Sequence, residues 1–117
     1  MNGGNFLLLN NITKLNLYIE RLLVNYPNKE RVLNDNIKIT LYDLVKLTNS
    51  YNINYKKLVK EKNLLDILVN ISMLDYYLLL SYKRSFIKKK QFNSATRLLE
   101  EVRKIAYGLV QYEKNRV

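Results

Sequence analysis

The stretch from Lys89 to Lys114, KKQFNSATRLLEEVRKIAYGLVQYEK, decides the fold. Its apolar residues Ala95, Leu98, Leu99, Val102, Ile105, Ala106, Leu109 and Tyr112 recur at helical spacing with heptad-like steps. A strand would instead alternate with a period of two. Glu100, Glu101, Arg103 and Lys104 occupy the opposite side, so the segment reads as a long helix with one buried seam.

Three more segments upstream carry the same period. From about Asn54 to Ser85, residues Leu58, Leu64, Leu65, Leu68, Ile71, Leu74, Leu78 and Leu79 alternate between two adjacent faces, the breadth expected of a helix packed on two neighbours. Its more polar start, Tyr55 to Lys62, suggests a bend. A second helix is expected from Asn28 as N-cap, through Leu33, Ile37, Leu41, Leu44, Val45 and Thr48, to the turn-tolerant Asn49-Ser50-Tyr51-Asn52. The first runs from Asn11 as its cap to Asn25, through Leu15, Tyr18, Ile19, Leu22 and Leu23, and Pro27 stops it. One Pro and three Gly leave little turn chemistry for a sheet, and no segment alternates like a strand. The expected fold is all-α, an up-down four-helix bundle. Residues 1–10 are expected to form a flexible N-terminus and residues 11–117 a single domain.

Composition narrows the chemistry. The 117 residues are 48% hydrophobic and 26% charged, the balance of a folded chain. There is no Cys, which removes disulfides and thiolate metal sites. There is no His, which removes the commonest general base and metal ligand. Hydrolysis by a Ser–His or Cys–His pair is impossible within the chain. The ten acids form no ligand or catalytic motif, so no catalytic residue, metal site or cofactor is expected, and the protein is not expected to be an enzyme. The first residues lack a basic region ahead of their four consecutive apolar positions, and no uninterrupted apolar run approaches the roughly 18 residues of a membrane span. A soluble, cytoplasmic protein with no membrane partner is the expectation.

The net charge of +10, from 20 Lys and Arg against 10 Asp and Glu, points to a polyanionic partner. Its densest feature is Lys83-Arg84-Ser85-Phe86-Ile87-Lys88-Lys89-Lys90, five cations at the connection between the third and fourth helices. Lys88 to Lys90 stand where the helix dipole is already positive, a conflict that a bound phosphate would relieve. A second cluster is Lys56, Lys57, Lys60 and Lys62, offset by Glu61. Arg97 and Lys104, seven apart and with Arg103 nearby, could extend a basic stripe. Lysine-rich surfaces of this kind position phosphates without choosing a base sequence. The tyrosines at helical positions, among them Tyr18, Tyr42, Tyr76, Tyr82 and Tyr112, read as core or subunit interface before they read as stacking platforms for bases. Asp75, beside the apolar stripe, reads either as half of an interhelical pair with an Arg or Lys or as a catalytic carboxylate with no visible second member. Gly108 interrupts a good helix and suggests close approach of another backbone, within the bundle or across subunits.

The order and spacing of several short motifs carry a resemblance. They are Tyr26-Pro27 followed by Lys29 and Arg31, then Tyr42-Asp43-Leu44, and then Leu79 to Phe86 leading into Ile87. Lys89-Lys90-Gln91-Phe92 and Leu99-Glu100-Glu101-Val102-Arg103-Lys104 follow, with Gly108 one turn on. From about Ile12 onward the chain resembles the Avd-like four-helix-bundle family. That family holds the accessory variability proteins of diversity-generating retroelements and the bundle proteins encoded in intervening sequences of large-subunit ribosomal RNA genes. The resemblance implies a homopentameric barrel of bundles with a basic surface. It also implies a non-catalytic accessory subunit that binds a reverse transcriptase and its template RNA, or an RNA–DNA hybrid, in support of mutagenic cDNA synthesis. Lys83, Arg84, Lys88, Lys89 and Lys90 are the expected phosphate-binding positions, with Lys56, Lys57 and Arg97 behind them. A ribosomal-RNA-associated bundle and an oligomeric scaffold without nucleic-acid function are the alternatives. The chain departs from the family at Lys88, where a capping Ser is usual, and at Leu109, where an aromatic usually follows the glycine.

Overall fold

Apolar residues at helical spacing become helices here, and the polar breaks between them become short reversals. A computed structural model describes residues 3–116. It contains α1 (Gly3–Leu23), a 3-10 turn (Asn28–Glu30), α2 (Arg31–Ile53), α3 (Lys57–Lys83) and α4 (Lys89–Asn115). There is no strand among the described residues. The chain is a four-helix bundle in which α2 packs on α3, α3 on α4, and α1 closes the ring between α4 and α2.

Successive helices reverse direction, so alternate connections share an end. At one end, the turn pole, the Tyr26 and Phe86 rings lie 5.5 Å apart and Arg84 pairs with Glu30 at 3.5 Å. At the other, the terminal pole, the Tyr51 hydroxyl donates to Glu113 at 2.8 Å and Lys57 Nζ donates to the Arg116 carbonyl at 3.1 Å. The long axis measures 49 Å.

The core is one column of aliphatic side chains. Leu15 and Ile19 from α1, Ile37, Leu41 and Leu44 from α2, Leu64, Ile71 and Leu74 from α3, and Leu99 and Val102 from α4 are wholly buried. Each is worth about 1.5–3 kcal/mol relative to exposure. Some polar side chains bond across from one helix to another. Asn16 donates to the Leu41 carbonyl at 3.0 Å, and Asn70 donates to Asp43 at 2.7 Å. Asp75 meets Arg103 of α4, the interhelical partner expected for it.

Several boundaries differ from the sequence reading. Helix α1 begins at Gly3, so residues 3–10 are helical rather than a flexible lead, and residues 1–2 lie outside those described. Leu8 and Ile12 extend the stripe of Leu15 and Ile19 and are wholly buried, which is what draws this segment into the bundle. Asn11 is consequently mid-helix, donating to the Leu7 carbonyl at 2.8 Å, and not an N-cap. Asn28 opens a 3-10 turn instead of capping α2. Of the polar start, Tyr55 and Lys56 lie in the extended connection before α3, and the helix is continuous from Lys57 onward. No atom lies within 4 Å of where a Gly108 side chain would begin, so no backbone of the bundle approaches it.

Part of the broad stripe on α3 faces outward. Leu64, Ile71, Leu74 and Leu78 are buried, whereas Leu58, Leu65 and Leu79 are exposed. By length and composition an 18-residue window of α3 is apolar enough to cross a membrane, although 33% of it is buried within the bundle. Asp66, Asn70, Ser72 and Asp75 interrupt the window, so it holds no uninterrupted apolar run of that length.

Candidate nucleic-acid interface

Five of the expected cations lie at the turn pole, and the backbone there explains how they are held. Helix α3 ends with Ser85 at a φ of 63°. The Phe86 N–H reaches back to the Ser81 carbonyl at 2.8 Å, and the Ser85 N–H to that of Tyr82 at 3.0 Å. This is a Schellman ending with serine in the left-handed position that glycine usually takes. Phe86 then packs on Tyr26, Ile87 is buried, and Tyr82 stacks on Phe92 at 5.1 Å. The anchored apolar residues leave Lys83, Arg84, Lys88, Lys89 and Lys90 pointing outward, all exposed.

Helix α4 starts without acidic help. No acid stands in its first turn. The Gln91 side chain accepts the Lys88 N–H at 2.8 Å, half of a capping box without the serine. The remaining first-turn N–H groups and three lysines therefore present one sign of charge. Tyr82, Lys83, Ser85, Ile87, Lys88 and Lys89 surround an open hollow of about 570 Å³.

The bundle adds cations that the sequence reading does not assign to the site. Because alternate connections share a pole, Arg21, Lys29 and Arg31 from the α1–α2 reversal come to the same end. A smaller hollow of about 190 Å³ lies there, lined by Pro27, Asn28, Arg31, Asn34 and Lys38 among others. Tyr26 in its wall is buried, which raises its pKa above the ordinary 10.0. Residues 20–35 and 82–91 together hold eight Lys and Arg against three acids. The up-down connectivity is the available signal, since it pairs the first and third reversals.

Other expected positions fall elsewhere. Arg97 is exposed on α4, eight residues or about 12 Å below Lys89, and can flank the pole. Lys56 and Lys57 lie at the terminal pole, the length of α3 away, about 40 Å. Lys57 is engaged there by the Arg116 carbonyl. Lys60, 4.1 Å above the Tyr51 ring, donates to the Tyr51 carbonyl, and burial lowers its pKa. Glu113, the acid of this cluster, is buried and pairs with Arg116 at 3.1 Å. The second lysine cluster is thus partly consumed in closing the bundle. Arg103 is likewise held by Asp75 and Glu100, so it does not continue a stripe from Arg97 to Lys104. Tyr42, Tyr76 and Tyr112 are about half exposed rather than core, whereas Tyr26 and Tyr51 are buried.

No three Asp or Glu side chains converge as a metal site among the described residues. Fold and pole together define a helical bundle whose cations gather at one end. The chain matches no family model and no curated protein sequence. The likeness to the Avd-like family therefore rests on its motif residues alone, from Tyr26-Pro27 to Gly108.

Proposed function

We propose that the turn pole binds nucleic-acid phosphates, RNA foremost, and that the protein is a non-catalytic accessory subunit of a reverse transcriptase complex. The observation that carries the binding is the convergence of eight cations from two separate reversals on one end of the bundle. Interactions of this kind supply affinity and register without base readout. The retroelement setting, the reverse transcriptase partner and assembly as a homopentameric barrel come from the family resemblance. The same pole would serve a ribosomal RNA equally well, and co-purification with neighbouring gene products, followed by sequencing of retained RNA, separates the two settings.

The direct test is charge reversal of Lys88, Lys89 and Lys90 to Glu. RNA affinity falls, and the slope of log affinity against log salt shrinks by about 0.7 for each single-strand phosphate that is no longer neutralised. A slope that does not change rules out these three lysines as phosphate ligands.

A further inference from the structure

Helix α3 carries a second, unpartnered seam. Leu58, Leu65, Val69, Met73, Tyr76 and Leu79 lie between 39% and 81% exposed along its outer side. Leu58, Leu65, Ser72 and Leu79 are spaced by seven, as are Val69 and Tyr76. This is the repeat by which one helix seats another along its length. Tyr107 of α4, 55% exposed, borders it. Where the small Ser72 leaves room, a groove of about 560 Å³ opens between Leu65, Val69, Met73 and Tyr107.

We infer that this face is covered by a second copy of the chain. Charge selects the occupant. Between Asn63 and Tyr82 the chain holds no Lys or Arg, and its two acids are already paired, Asp66 with Lys62 and Asp75 with Arg103. Both poles are positive, with six Lys and Arg against two acids over residues 54–62 and 113–117 at the terminal pole. Two copies of a protein carrying +10 approach with least repulsion through this neutral waist. Area agrees. Seven side chains of on the order of 200 Å² each, about half exposed, offer on the order of 700 Å², close to the roughly 800 Å² that each partner contributes to a standard stable interface. A lone bundle has no use for a helix apolar on nearly all sides.

The inference rests on the self-association in the proposed function and names its surface; it is independent of the polyanion site. Light scattering on the eluting full-length chain should give a multiple of 14.0 kDa. The double variant Leu65→Glu, Val69→Glu should reduce that mass to one copy while keeping its helical circular dichroism. As the chain has no cysteine, Val69→Cys and Lys14→Cys report accessibility directly. The thiol at position 69 should react with a maleimide at least tenfold more slowly than the one at 14. A wild-type mass of one copy, an oligomer that survives the double variant, or equal thiol reactivity each overturns the inference. So does a single-copy protein that sediments with neutral phosphatidylcholine vesicles, which would assign the face to lipid. A monomer that still binds RNA overturns this interface and leaves the turn pole standing.

Discussion

Ser85 occupies left-handed backbone in the middle of the basic turn. A non-glycine residue there costs about 1–3 kcal/mol, and glycine avoids most of it at an entropic cost of about 0.5–1 kcal/mol. Ser85→Gly should therefore stabilise the bundle by about 0.5–1 kcal/mol, read as a later midpoint in urea with an unchanged slope. At the opposite pole, burial raises the Tyr51 pKa, aided by the Glu113 carboxylate to which its hydroxyl donates. Tyr51→Phe leaves a buried carboxylate oxygen short of a partner and should cost about 1–3 kcal/mol. A tyrosine whose folded pKa exceeds its unfolded one contributes stability that is complete below about pH 10 and lost as pH climbs past it. Tyr26 acts in the same direction, and Lys60, lowered by burial, in the other. Since the Tyr51 shift is the largest, the melting temperature should fall above pH 10, and less steeply in Tyr51→Phe than in the wild type. Equal alkaline slopes would show that this hydroxyl is not what titrates.

At the scale of elements, the apolar stripe of every helix is legible in the sequence, and the ends are legible only in places. Helix α4 is legible almost to the residue because its seam has one face and its flanks are charged. Helix α1 reads eight residues short, since Asn11 has the chemistry of a cap. Burial of Leu8 shows that the segment ahead of Asn11 packs in the bundle. Leu8→Ala should cost about 2–5 kcal/mol in urea unfolding. A flexible lead would give a loss within about 0.5 kcal/mol. Helix α3 reads as sitting between two neighbours, which is right for one half of its stripe. Nothing in periodicity tells an apolar face turned to a neighbour from one turned to solvent.

Across the whole molecule, charge gathers at two poles on either side of a nearly neutral waist. Reversing Lys29 and Arg31 to Glu should weaken RNA binding and reduce its salt slope, as reversal of Lys88 to Lys90 should, although nearly sixty residues separate the two groups. Lys56→Glu, at the far pole, should leave that slope nearly unchanged; an equal loss from both ends, measured by fluorescence anisotropy across a salt series, would sink the assignment to one pole. The lysine run from 83 to 90 is visible in the sequence because contiguous charges need no folding to be neighbours. The contribution of Lys29 and Arg31, the withdrawal of Lys57 into a backbone hydrogen bond and the capture of Arg103 by Asp75 are not visible there, because each joins residues about thirty to sixty positions apart. By itself the sequence determined that the chain is helical, without His or Cys chemistry and strongly basic, since these are properties of composition and local period. The tertiary structure alone decided which cations share an end, which are used in closing the bundle and which apolar face is left open. Those are distances between helices, and only their packing sets them.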